Sequence, residues 1–512
     1  MGKPDRIRYA ALAGGALYAL LAAFGFQAEH YGESFPLPAL LAASLLFPLF
    51  ALLLDHLFHR EGDRALSAGG KPFSARRVFL LVFLCRLPAF AVLYPGSFAY
   101  DVPFQLEQIA TGAYSTHHPL VHTLLLGGCV QLGRLFGNVN LGAALYTLVQ
   151  ALLLSLLNAL CCGSLFRQAG RRAAWGAALF FALYPVHLLM AVNATKDVLF
   201  SGCFALALAL LREWLCGGAL PGKRRALLFL ATAGAVLLRN NMAYALFAFL
   251  LCLLAAKRRR VAAFMACALA AGILFSQGLA AFLHAVPGDL RETLSWPIQQ
   301  LARISVRERE KLTEEEKGLI DGILPQMAWK NYDPTVSDPV KFEFRTEKFK
   351  EDPGKYAKLC LGLLARCPKC SLDAVLMLTH AYLYPYRTYA VSGRYLQTGV
   401  TEVTYTGWKE EETIADESPF PALRNAIDWR FGAQGAMQIP VLGWFFNLGL
   451  LMWLTIFAVL RAFAVGKPGE GLAGLWPLLL LGSFLPGPVM AGRYAYAFFS
   501  ALPVLLARVR NG

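Results

Sequence analysis

Thirteen apolar runs, at 9–26, 36–58, 78–94, 119–136, 140–166, 173–192, 197–216, 225–239, 242–256, 261–283, 439–463, 471–488 and 492–508, constrain this chain more than any motif does. Many of them reach or exceed the roughly 18 residues that a membrane span needs. Hydrophobic residues make up 57% of the 512 and charged residues only 16%, where a soluble domain carries about a quarter charged. The pattern excludes an ordinary soluble enzyme and a disordered chain. It predicts an all-α polytopic membrane protein. No small-residue cleavage site follows the first run, which therefore reads as an uncleaved span rather than a signal peptide.

The net charge of +15 is unevenly spread. Residues 284–440 form a long polar stretch with 22 acidic and 20 basic residues, and the rest of the chain holds 28 basic against 11 acidic. The excess sits in short loops, as expected when cytoplasmic loops collect Lys and Arg. That distribution argues against nucleic acid as a partner.

Loop charge then orders the spans. Clusters at Lys3–Arg8, Arg60–Arg77, Arg167–Arg172, Lys223–Arg225, Lys257–Arg260, Arg461–Lys467 and Arg508–Arg510 all face the cytoplasm only if the run 119–136 does not cross. That run contains Gly127, Gly128, Gly133 and Arg134, and it reads as an interfacial helix on the outer side. About twelve spans remain, with both termini inside. The expected division is a transmembrane module over 1–283 with a first external loop at 95–138, a large external domain over 284–438, and C-terminal transmembrane helices over 439–512. The external domain is expected to be mixed and mostly of short helices. Lys311–Lys317 (KLTEEEK) reads as a solvated helix, and Asp333-Pro334 and Asp338-Pro339 read as turns. Cys367 and Cys370 form a C-x-x-C without the second pair a zinc site wants, so a local disulfide or a chance spacing is expected there.

Five cations escape the loop assignment: Arg86, Arg134, Lys196, Arg239 and Arg493. Charge within or beside a bilayer is costly and points to function. Lys196, Arg239 and Arg493 fall at the outer ends of spans, where they make a pocket for an anion such as a lipid phosphate. The neighbouring acids are few. Asp101 follows the third run in an aromatic segment with Tyr94, Phe98, Tyr100 and Phe104, surroundings expected to raise its proton affinity. Asp197 follows Lys196 and suits a helix start.

The order of these features resembles the GT-C superfamily of membrane glycosyltransferases, including protein mannosyltransferases and lipid A aminoarabinose transferases. Members place an Asp early in the first external loop, a His-Pro-Pro or Lys-Pro-Pro at an interfacial helix, and a long span ending in a basic turn. A basic residue and an Asp follow in the next external turn. Here the matching residues are Asp101, His117-His118-Pro119, the run 140–166 with Arg171-Arg172, and Lys196-Asp197. Arg493-Tyr494 resembles an Arg-Tyr found late in many members. The likeness is good over about 78–256 and loose beyond. Asp101 lacks a second acid beside it, and the motif has one proline.

The resemblance implies a transferase that moves a sugar from a polyprenyl-phosphate donor to a cell-envelope acceptor (glycan, lipid or protein) at the outer face of a bacterial membrane. Asp101 would be the base. Lys196, Arg239 and Arg493 would stabilise the leaving phosphate, with His118 as a hydrogen-bond donor. A divalent ion, Mg or Mn, bridging Asp101 and the phosphate would serve the same end. Gln105, Gln108, His117, Asp197 and Tyr494 are the candidate substrate-binding residues. Trp296, Gln299, Gln300 and Arg303 are candidates for lining the acceptor cleft. The alternatives are a transporter or flippase of an anionic lipid-linked substrate, for which the deep Arg86 speaks, and a scaffold protein with a receptor-like external domain.

Overall fold

The computed structural model describes residues 2–31, 37–61, 73–385, 401–407, 410–431 and 442–509. Helices dominate. In chain order the apolar part comprises α1 (Lys3–Tyr31), α2 (Leu37–Glu61), α3 (Ala75–Val92), α4 (Val102–Thr111), α5 (Leu120–Leu135), α6 (Val139–Ala169), α7 (Arg171–Leu183), α8 (Pro185–Ala191), α9 (Lys196–Gly217), α10 (Gly222–Leu238), α11 (Met242–Ala255) and α12 (Arg259–Phe282). After the polar stretch come α13 (Leu448–Ala464), α14 (Pro468–Phe484) and α15 (Gly492–Leu506).

Segments within α1, α2, α6, α9 and α12 are long and apolar enough to cross a membrane, and the bent pair α7–α8 makes a sixth if taken together. This is an all-α protein of membrane type. The expected count of twelve is not reached on length. Helices α10, α11, α13, α14 and α15 have 17, 14, 17, 17 and 15 residues, about 21–26 Å at roughly 1.5 Å per residue, against about 30 Å of hydrocarbon. Composition registers apolarity, whereas the helix ends are cut by local structure. Extended backbone at Arg239 stops α10. Lys257, just past the end of α11, takes the left-handed conformation with φ of 58°.

Helix α9 runs through the middle of the bundle, with Phe200, Phe204, Leu208 and Leu211 fully buried. It packs on α6, α10 and α15. Helix α2, by contrast, is largely exposed, as a lipid-facing helix is. The Asn138 side chain caps α6 by accepting from the Leu141 N–H at 2.9 Å. Helices α5 and α6 meet backbone to backbone at Gly133 and Gly142. A Cβ on Gly133 would lie 2.2 Å from the Gly142 nitrogen. The glycines expected to mark a surface helix are thus used in part for close packing.

The polar stretch builds a second, smaller core around Ile298, Leu301, Ile304, Ile320, Ile323 and Leu363. Its helices are short, as expected: among the described residues Pro353–Arg366, with 14 residues, is the longest, and Ser295–Arg307, Pro421–Phe431, Glu314–Ile323 and Pro368–Met377 follow. Thr313 and Glu316 form a reciprocal capping box at the start of KLTEEEK's helix. Asp333 makes its turn by accepting from the Thr335 N–H at 2.7 Å, whereas Asp338-Pro339 opens a helical turn, Asp338–Lys341. Cys367 and Cys370 are free, buried thiols in this core, so the disulfide reading is corrected. A hairpin, β3 (Val403–Thr406) against β4 (Glu411–Ile414), lies on α4 and α6. Arg134 on α5 holds it through Glu412 at 2.9 Å.

Candidate functional site

Two residues of backbone bring the first external loop to the start of α9. Strand β1 (Ser97–Phe98) pairs in parallel with β2 (Asn193–Ala194). The Ser97 N–H donates to the Val192 carbonyl at 3.0 Å, and the Ala99 N–H to that of Ala194 at 3.3 Å. A few residues beyond each strand lie Asp101, at the head of α4, and Lys196, at the head of α9. Thr195 caps α9 from its side chain. The Asp101 side chain makes no cap to α4 and is left for other partners.

Those partners are cations. Lys196 Nζ donates to Asp101 Oδ2 at 2.7 Å, and Arg493 Nη2 to Asp101 Oδ1 at 3.1 Å. His118 Nδ1 stands 3.7 Å from Asp101 Oδ2 and 3.2 Å from Lys196 Nζ. Arg493 also reaches the Tyr494 hydroxyl at 3.5 Å. Burial alone pushes the Asp101 carboxyl up, as the aromatic segment led one to expect. The attraction of Lys196 and Arg493, with the hydrogen bond from Arg493, outweighs it. The carboxyl is therefore held well below the usual carboxylate range, which corrects the expectation. Burial and the nearby Lys196 charge lower His118 to about 2 despite the attraction of Asp101. The imidazole is neutral at physiological pH. Since Lys196 can only donate, Nδ1 accepts and Nε2 carries the proton. That tautomer is inferred from the hydrogen-bond geometry.

The cluster lines a cleft of about 1060 Å³. On the bundle side Tyr100, Asp101, Phe104, Gln108, His117, His118, Lys196, Arg493 and Tyr494 face it. On the far side stand Arg291, Glu292, Asp338, Lys341 and Phe342 of the polar stretch. Lys341 is held there by Glu292 at 2.6 Å and Asp338 at 2.7 Å. The two walls are fastened together: the Ser337 N–H donates to the Pro488 carbonyl at 2.8 Å, and Val336 bridges Val489.

Several expected site residues lie elsewhere. Asp197 and Arg239 form a buried ion pair with each other. Arg239 is sandwiched against Phe484 and Tyr494, each ring centroid 4.6 Å from its guanidinium carbon, and bonds Asn241 at 2.8 Å. Neither residue lines the cleft, so both sit behind the site as its support. Gln105 turns inward, 3.0 Å from His122 Nδ1 and 2.9 Å from Thr123. Gln108 faces the cleft, but its side-chain oxygen accepts from the Ser115 N–H. Trp296, Gln299, Gln300 and Arg303 are absent from the lining. Gln300 bonds the Cys360 carbonyl and Ser371, and Arg303 pairs with Asp373. An Mg or Mn site at Asp101 does not fit the donor set, because both carboxylate oxygens face cations. Among the described residues no group of three His, Cys, Asp or Glu side chains is arranged to hold a metal.

Residues not anticipated form a buried chain below the cluster. His122 Nε2 lies 2.7 Å from the Tyr146 hydroxyl, which donates to Gln150 at 2.8 Å. Gln150 in turn donates to the carbonyls of Ala191 and Asn193. Tyr146 and Gln150 stand four apart on α6, a spacing that signals one face, but neutral polar residues within an apolar run leave no charge to follow.

A helical membrane-type bundle with a charged cleft at the head of α4, α9 and α15 is thus the class this chain defines. The chain belongs to the family of unknown function DUF6020, whose model matches residues 100–511 and so includes the whole cluster. No curated protein and no solved structure matches it.

Proposed function

We propose that the protein is a GT-C-type glycosyltransferase, moving a sugar from a polyprenyl-phosphate donor to a glycan, lipid or protein acceptor of the cell envelope. The observation that carries this reading is one ionised carboxylate, Asp101, held between Lys196 and Arg493 on the wall of a cleft large enough for two substrates. In this reading about twelve segments traverse or enter a bacterial cell membrane, both termini are cytoplasmic, and the cleft opens at the outer face.

The acceptor hydroxyl oxygen attacks the anomeric carbon, and the bond from that carbon to the phosphate oxygen breaks. The electron pair leaves with the phosphate, where charge builds up and donors placed in advance count most. Lys196 and Arg493 supply those donors, and the His118 Nε2–H adds a neutral one. The hydroxyl proton passes to Asp101. A carboxylate clamped by two cations is a weak base, so the donor phosphate must first draw Lys196 and Arg493 toward itself. Donor binding thereby raises the basicity of Asp101 as the acceptor arrives. The Asp197–Arg239 pair keeps Lys196 and Tyr494 in position from behind.

Asp101→Asn is expected to lose transfer from a polyprenyl-phosphate sugar by about 10²-fold or more, with expression and membrane insertion kept. Transfer at the wild-type rate in that variant removes the proposed base.

A further inference from the structure

Arg86 takes no part in the cleft, yet with Arg212 and Arg424 it is among the largest fully buried side chains of the described residues. It is fully buried on α3. Its Nη1 donates to the Ala151 carbonyl at 3.2 Å and to Ser155 Oγ at 2.6 Å, both on α6. Its Nε and Nη2 have no hydrogen-bond partner, and among the described residues no carboxylate pairs with it. Arg212, at the other end of the bundle, is better provided for: Gln168 and the carbonyls of Val504 and Ala507 accept from its Nε and Nη1, and its Nη2 alone is left without a partner.

Two further buried groups, on the helices that pack against α3, are also unsatisfied. Asn158 stands one turn after Ser155 on the same face of α6. Neither atom of its amide has a partner. His187 on α8 faces the Tyr496 hydroxyl through Nδ1 at 2.9 Å and has nothing at Nε2. Helix α8, which carries His187, packs on both α3 and α6. All of these side chains are at most 1% exposed.

An arginine cannot shed its proton, and a buried charge needs a counter-charge as well as hydrogen bonds. Water would meet the second need but not the first. We propose that Arg86, with Asn158 and His187, forms a buried site for one small monovalent anion of halide size. The unsatisfied N–H groups are all donors an anion accepts from, and a single positive charge matches a single negative one. The surrounding side chains belong to the main core, where Val82, Ala151, Leu154 and Phe181 are packed without exposure or nearly so. Packing of that density leaves no room for a lipid headgroup. The proposal is independent of any activity in the cleft.

The test uses the full-length protein in detergent micelles, exchanged into sodium gluconate and titrated with sodium chloride or bromide at constant ionic strength. The thermal unfolding midpoint is expected to rise saturably with either halide. Crystals grown in bromide are expected to show an anomalous peak within hydrogen-bond reach of the Arg86 guanidinium. Arg86→Met should abolish the halide response. If that variant does not fold, Asn158→Leu is expected to weaken the apparent halide affinity by about tenfold, the loss of one donor. Identical midpoints in gluconate and halide, or an Arg86 environment holding only water in the bromide crystals, overturn the proposal.

Discussion

Asp101 shows how little of a residue's chemistry lies in its immediate sequence. Its aromatic neighbours argue for a raised proton affinity, and burial does push that way. The deciding groups are Lys196 and Arg493, 95 and 392 residues distant. Lys196 and Arg493 could be singled out from the sequence because they were cations left over once the loops were assigned. Arg239 stood in the same group and Asp197 among the few neighbouring acids, but sequence could not show that they pair with each other. His122, Tyr146 and Gln150 carry no net charge and gave no comparable signal. A consequence follows for acid stability. A carboxyl held low in the folded state contributes stability that is fully present above its unfolded value, about 3.9, and lost as pH falls through the folded value. The thermal midpoint of wild type minus that of Asp101→Asn should therefore be constant from about pH 8 to 5 and shrink below about pH 4. A difference that shrinks between pH 7 and 5 instead would assign the titration to another group.

At the scale of elements, the sequence disclosed most helices and misplaced several of their ends. The apolar runs 140–166 and 197–216 correspond to α6 and α9, because long uninterrupted runs leave few alternatives. The two-residue pairing of β1 with β2 was not foreseeable, since neither dipeptide has a strand pattern. It nevertheless sets the distance between Asp101 and Lys196. The glycines of α5 divide by what they touch. Gly133 meets Gly142 backbone, whereas Gly128 meets nothing within 4 Å. Gly133→Ala should destabilise the protein by about 1–3 kcal/mol through overpacking. Gly128→Ala should be neutral or stabilising by up to about 1 kcal/mol, from helix propensity. Chemical unfolding of the two variants, side by side, checks the contrast; equal effects would mean that α5 does not approach α6 this closely.

For the whole molecule, loop charge predicts which end of the bundle faces the cell interior. Glu314, on the polar stretch, is highly exposed, and Arg225 is exposed at the head of α10. In a background with the exposed Cys216 and Cys267 replaced by serine, Glu314→Cys should react with a membrane-impermeant maleimide in intact cells. Arg225→Cys should react only after lysis. The reverse pattern would invert the orientation and place the cleft on the cytoplasmic side. The existence and helical character of the polar domain were legible from its charge balance. Its contribution to the cleft was not, because Glu292, Asp338 and Lys341 look like ordinary surface charges until the chain folds them over Asp101.

The rung joining Ser337 and Val336 to Pro488 and Val489 has one more implication. The segment it grips leads within a few residues to Arg493. With that rung in place, any displacement of the polar wall would be passed along a short stretch of chain to the guanidinium on Asp101, so the width of the cleft and its ion pair would change together.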